Sequence, residues 1–148
     1  MRNEEAQALS VAVLAIGRAV VDGVSAGVRA RGFDNIRPVH GFAFTRLAVG
    51  GATVTDLAEH LDVTRQAAAQ LVDDLVAKGY VERLPHPADG RARLVVLTEK
   101  GWACTRAAEA AMTEVVAPWV AELGEERLHA LLADLLRIAP AGPLRPSW

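Results

Sequence analysis

The sequence predicts a mainly α-helical chain carrying one small β-hairpin. Three observations lead there. Apolar residues recur at spacings of three and four along most of the chain, the signature of helices with one buried face. Only two short runs, Tyr80–Leu84 and Ala92–Leu97, read as strands. Between those runs lies Asp89-Gly90, a pair suited to a tight hairpin turn.

The first helix spans about Glu4 to Arg29, a stretch without proline. Leu9, Val13, Ile16, Val20, Val24 and Val28 form one apolar stripe, and Leu14, Gly17 and Val21 begin a second. A helix with two apolar faces needs partners on two sides. Gly17, Gly23 and Gly27 each cost about 1 kcal/mol relative to alanine inside a helix, so close approach of another backbone is expected there. Val11 to Gly17 resembles the apolar centre of a signal peptide, but Glu4 and Glu5 precede it where a signal carries positive charge. Arg18 and Asp22 then interrupt it, and no apolar run is expected to reach the ~20 residues of a membrane span.

Gly32 to Pro38 breaks this helix. A short helix over Val39 to Val49 follows, with Phe42, Phe44 and Leu47 available for burial, and Gly50-Gly51 ends it. Near the C-terminus, Thr98 caps an alanine-rich helix over Glu99 to Leu123. Pro118 is expected to kink or split that helix. Gly124 is a natural stop, and Glu125 to Ala139 forms a last helix with Leu128, Leu131, Leu132 and Leu135 on one side. Pro140, Pro143 and Pro146 keep the tail to Trp148 out of a helix.

Composition narrows the function classes. The chain is 51% apolar and 23% charged, which is globular rather than disordered. A net charge of -2 argues against a protein that coats nucleic acid indiscriminately, although a local basic surface suffices for specific binding. A single cysteine, Cys104, excludes an intramolecular disulfide framework and suits a reducing, cytoplasmic setting.

The middle of the chain carries the chemistry. Thr55 is a candidate cap for a helix running to Leu61, with Leu57 and Leu61 on its inner face and the small Ala58 between them. Asp62-Val63 makes a turn, since aspartate tolerates a left-handed backbone. Thr64 caps a second helix from Arg65 to about Lys78, and Gly79 stops it. Ala68, Leu71, Val72 and Leu75 face inward, which leaves Arg65, Gln66, Ala69, Gln70 and Asp73 facing out. Polar residues near the start of such a helix reach base edges in a major groove: arginine serves guanine or phosphate, glutamine pairs with adenine, and alanine touches a thymine methyl. The hairpin follows directly. In its exposed loop, Pro85 to Arg91, the Asp89 carboxylate can accept the backbone N–H of Arg91 or pair with an arginine side chain. Either contact holds Arg91 at the tip, where a narrow A·T-rich minor groove attracts it. Helix, turn, helix and hairpin in this order make a winged helix.

Three segments carry a family resemblance: Leu75 to Arg83 (LVAKGYVER), Pro87 to Arg91 (PADGR) and Leu97 to Gly101 (LTEKG). In order and spacing they resemble the signature of the MarR family of transcriptional regulators. That signature has a recognition helix ending in lysine-glycine, a VER strand, a D-x-R wing and a closing LT..G. The resemblance implies a homodimer that binds palindromic double-stranded DNA. Residues 37–98 would form the winged helix-turn-helix lobe, residues 1–36 and 99–139 the helical dimerisation lobe, and 140–148 a tail. Thr64, Arg65, Gln66, Ala69 and Gln70 fall on the DNA-facing positions of the recognition helix, and Asp89 and Arg91 on the wing. Arg93 adds positive charge to it. Ala69 and Gln70 stand where many members have threonine and arginine, which alters base preference rather than the mode of binding.

The expected regulator is a repressor released by a small, aromatic effector bound where the dimer helices meet the winged-helix lobe. His40, Phe44, Arg46 and Trp102 are its candidate contacts, where the short helix meets the long C-terminal one. No cofactor is expected. His40, His60, His86 and His129 are scattered without an i, i+4 pair, so no metal is expected either. Cys104 reads as a small apolar residue, and Trp119 as core or interface. The rival readings are a winged-helix protein-interaction module without DNA binding and a small enzyme. Arg65, Arg91 and Arg93 disfavour the first, and the lack of converging polar groups disfavours the second.

Overall fold

A computed structural model describes residues 1–144. Its elements are α1 (Asn3–Ala30), α2 (Pro38–Leu47), α3 (Val54–Leu61), α4 (Arg65–Ala77), β1 (Val81–Pro85), β2 (Arg93–Leu97), α5 (Glu99–Leu123) and α6 (Glu125–Ile138). The mainly helical architecture with one two-stranded antiparallel sheet is the one the sequence predicts. Pro146 and Trp148, assigned to the tail, lie outside the described residues.

The core sits under the helix-turn-helix. Leu47 of α2, Leu57 and Leu61 of α3, Val72 and Leu75 of α4, Val81 and Val95 of the hairpin and Cys104 of α5 all bury their side chains there. Tyr80 stands at its centre. Its ring packs against Phe44 at 5.8 Å and Phe33 at 6.3 Å, and its hydroxyl donates to Asn35 Oδ1 at 2.7 Å. Lys100 Nζ lies 4.3 Å above the ring. Gly101 is required at the start of α5, because a Cβ there would overlap the Tyr80 carbonyl oxygen.

Long helices cross beside this core. α1 packs against α5, and a Cβ at Gly27 would come within 2.5 Å of the Ala111 Cβ. Gly23 faces Val115 in the same way, at 2.6 Å. Two of the three α1 glycines therefore mark the expected close approach, whereas Gly17 meets nothing. Beyond this crossing α1 is bare: Leu9, Val13, Leu14 and Ile16 are exposed, and so are Leu131, Leu132, Leu135 and Leu136 of α6.

Several expectations need correction. Thr53 rather than Thr55 caps α3. Pro118 does not split α5, which continues through it. The proline N–H is missing, but the turn it faces is exposed at Glu114, where water can satisfy the freed carbonyl. α1 is also long and apolar enough, by length and composition, to cross a membrane, contrary to the sequence reading. Its Arg18 and Asp22 are an i, i+4 ion pair at 3.0 Å, and its C-terminal half is occupied by α5.

Candidate nucleic-acid interface

The helix-turn-helix is built from caps. Thr53 Oγ1 accepts the Asp56 N–H at 3.1 Å, and Asp56 Oδ2 accepts the Thr53 N–H at 2.8 Å, closing a reciprocal box at the start of α3. These hydrogen bonds hold the Asp56 carboxyl below its ordinary range. α3 ends at Asp62, which takes the left-handed conformation at φ 57°. Thr64 Oγ1 then accepts the Ala67 N–H at 3.1 Å and starts α4. The cap uses the oxygen as acceptor and leaves the Thr64 O–H free to donate to a phosphate.

On α4, Ala68, Val72 and Leu75 are buried and Leu71 is partly so. Arg65, Gln66, Gln70 and Asp73 are exposed as expected, while Ala69 is only half exposed. Two carboxylates on this helix are neutralised in place. Asp73 Oδ1 receives Arg83 Nη2 of β1 at 2.5 Å, and Asp74 Oδ2 receives Lys78 Nζ at 2.7 Å. The second pair has the legible i, i+4 spacing. The first depends on the hairpin folding back beside α4.

The hairpin pairs Val81 with Leu97 through to Pro85 with Arg93. A contact that sequence reasoning missed anchors it: Ala52 exchanges both backbone hydrogen bonds with Val95, at 3.0 and 2.8 Å. The link between α2 and α3 thus acts as a third, one-residue strand. At the tip, Asp89 Oδ1 accepts the Arg91 N–H at 3.0 Å, and Ala92 N–H bonds the Asp89 carbonyl at 3.1 Å. The Asx-turn reading of Asp89 therefore holds. Gly90, however, has no left-handed φ, so this is a longer loop closed by a turn at Asp89–Ala92 and not a two-residue hairpin turn.

The charge pattern is directional. Arg83, Lys78 and Arg46 are engaged by Asp73, Asp74, and Asp56 with the Gly51 carbonyl. Among the described residues, Arg65, Arg91 and Arg93 take part in no intramolecular ion pair, and all three are exposed. Free guanidinium groups thus stand at the start of α4 and on the wing, in a chain whose net charge is -2.

The residues expected to hold an effector are less converged. Phe44 and His40 are enclosed in the core, Arg46 donates to Gly51 O at 2.8 Å, and Trp102 is 40% exposed on the first turn of α5. The groove beside α4 runs between Arg37 and Val39 at the start of α2, Leu61 and Val63 at the end of α3, and Leu71 and Asp74 of α4; Phe44, Arg46 and Trp102 do not line it, and the His40 ring lies behind its wall beside Asp74. Cys104 is buried, and burial pushes its thiol up to about 11.

Comparison with known proteins agrees with this geometry. The family described as MarR family matches residues 40–92. The HTH-type transcriptional regulator Mb0904 of Mycobacterium bovis is 36% identical over 97 residues, covering 64% of this chain and 68% of that protein. The crystal structure of RV1404 from Mycobacterium tuberculosis superposes with a TM-score of 0.74 at 23% identity, over 97% of this chain and 100% of that one. A mutant MarR from Escherichia coli, complexed with operator DNA, gives a TM-score of 0.70 at 22% identity, over 92% of this chain and 96% of that one. With a helix-turn-helix, a wing and a related regulator aligned over two thirds of its length, this chain belongs to the MarR family of winged-helix transcriptional regulators.

Proposed function

We propose that the chain acts as a homodimer that binds a palindromic operator in double-stranded DNA, represses transcription there, and is released by a small aromatic effector. The observation that carries the DNA-binding part is the set of unpaired arginines, Arg65 on α4 with Arg91 and Arg93 on the wing. Unpaired surface arginine is what phosphate and minor-groove contact require, because a guanidinium already held by a carboxylate must first give it up. Thr64, Gln66, Ala69 and Gln70 would read the major groove, and Asp89 would hold the tip carrying Arg91. Such a regulator works in the cytoplasm, where the chromosome is. Effector release would draw on His40, Phe44 and Arg46 of α2 and Trp102 of α5, and needs about 1.4 kcal/mol of differential binding for each tenfold loss of DNA affinity.

The test is binding-site selection from random duplexes, followed by footprinting of the selected sequence. An inverted repeat with half-sites about 10 bp apart is the expected result. Failure to enrich any duplex would overturn the reading.

A further inference from the structure

α4 is not held equally on its two flanks. Its inner face is fixed by Ala68, Val72 and Leu75, and its wing side by the Asp73–Arg83 pair. On the other flank lies an open groove of about 280 Å³, walled by α2 and α3. The polar contact at this flank comes from His40 of α2. Its ring is completely buried, and its Nε2 lies 3.3 Å from Asp74 Oδ2.

The ring's chemistry is set by its other nitrogen. His40 Nδ1 accepts the Arg37 backbone N–H at 3.0 Å, so it carries no hydrogen, and in the neutral ring Nε2 is the donor. That donor is close to a carboxylate but not aligned with it. Among the described residues, Nε2 is the buried side-chain polar atom without a hydrogen-bond partner. An unsatisfied buried donor is costly, so any small roll of α4 that aligns Asp74 is rewarded. The groove leaves space for that roll.

We propose that His40 is a positioning residue for the recognition helix: its Nε2–H closes onto the Asp74 carboxylate when α4 is seated for reading DNA, tying α4 to the start of α2. The inference rests on the DNA-binding reading above. The bond is available only to a correctly seated α4, so it strengthens binding to the preferred sequence more than to other duplexes. Loss of the Asp74 charge alone acts differently, raising affinity for all duplexes together through reduced repulsion of phosphate.

The experiment measures, for the full chain, the affinity ratio between the selected operator and a scrambled duplex. Asp74→Ala and His40→Leu should each lower this ratio about tenfold, and the double variant no further, because both remove one contact. Asp74→Asn keeps an acceptor and should stay near the wild-type ratio. Lys78→Gln should change both affinities together. Proton–nitrogen correlation spectra of the wild type should show hydrogen on His40 Nε2, with that proton shifted downfield and protected from exchange in the operator complex. This arm, with Asp74→Ala at a half-exposed site, decides the matter even if His40→Leu does not fold. Unchanged ratios, additive losses, hydrogen on Nδ1, or identical free and bound resonances would each overturn the proposal while leaving DNA binding intact. A wild type that selects no duplex removes the DNA-binding reading itself, and the proposal with it.

Discussion

Two buried titratable side chains make opposite statements about pH. His40 is driven down to about 4 by burial, helped by the nearby Arg37 and Lys78 charges and opposed by Asp74. The unfolded ring titrates near 6.5, so between about 6.5 and 4 the unfolded chain binds more protons than the folded one. Stability should therefore be flat above about pH 6.5 and fall as pH drops toward 4, by an amount on the order of 2–3 kcal/mol from this group. Denaturant titrations at pH 7 and pH 4.5, with His40→Gln as reference, check this: the variant should lose less on acidification. Equal losses would mean that the carboxylates alone account for the acid sensitivity. Cys104 behaves in the other sense. Burial lifts its thiol to about 11 against the weaker pull of Lys100, so at pH 8 only about one thiol in a thousand is ionised. Thiol-specific reagents should leave the native chain unmodified over hours and label it on unfolding; fast native labelling would place Cys104 in an accessible, electropositive site. The low reactivity of Cys104 follows its sequence reading as a small apolar residue. Nothing in the sequence revealed that His40, first read as an effector contact, faces Asp74 from inside the core.

At the level of elements, the α3 cap separates the sequence reading from the structure cleanly. Thr53 and Thr55 both precede Leu57, and either could serve as the cap. Only Thr53 has a carboxylate three residues on, at Asp56, whereas Thr55 is followed by Ala58. The capping box is thus legible in the spacing, at Thr53 and not at Thr55. Thr53→Ala and Asp56→Ala should each cost about 1 kcal/mol in chemical denaturation, while Thr55→Ala should change little. Equal costs at 53 and 55 would contradict the observed cap. The α1–α5 crossing gives a sharper case. Gly27→Ala places a methyl within 2.5 Å of the Ala111 Cβ. The helix-propensity gain of about 1 kcal/mol should therefore be reversed into a net loss. Gly17→Ala, with nothing nearby, should keep the gain. The sequence pointed to close packing at all three glycines, and only the register of α5 against α1 decides which two are constrained. The Ala52–Val95 bridge and the Asp73–Arg83 pair were illegible for a related reason. Each joins residues whose local patterns carry no trace of the partner, and folding of the hairpin onto the helices brings them together. On the wing, Arg91→Ala should weaken operator binding and lower the salt slope by about one counterion. Gln70→Ala should relax preference at one base position and leave that slope unchanged; a uniform loss from Gln70→Ala would make it a backbone contact.

Across the whole molecule, the distribution of apolar surface argues for a second copy. The winged-helix half hides most of its large side chains, with Val49 the main exception, yet Leu14 of α1 is 73% exposed and Leu136 and Ile138 of α6 are 70% and 77% exposed. Isolated apolar residues on a surface are ordinary, but here they form helical stripes at both ends of the chain. The sequence revealed this directly, because a first helix with two apolar faces can give only one of them to its own chain. α5 takes the face marked by Gly23 and Gly27, and the N-terminal half remains uncovered. A dimer closing these stripes would bury more than about 2,000 Å², the scale of obligate interfaces. Sedimentation at micromolar concentration should then give a dimer, and the melting temperature should rise with protein concentration. A monomer in that experiment would defeat the assignment. In the proposed dimer the same surface would set DNA affinity. Two recognition helices joined rigidly make the second half-site contact intramolecular, and linked binding of this kind gains a factor of 10²–10⁴ over a single site. Leu135→Glu, which puts a charge in the α6 stripe without touching α4 or the wing, should therefore yield a folded monomer that still binds one half-site. Its affinity for the full repeat should fall by about a hundredfold or more, while its affinity for an isolated half-site stays near that of the wild type. If the monomeric variant bound the full repeat as tightly as the dimer does, reading of the two half-sites would not be coupled through the helical lobe.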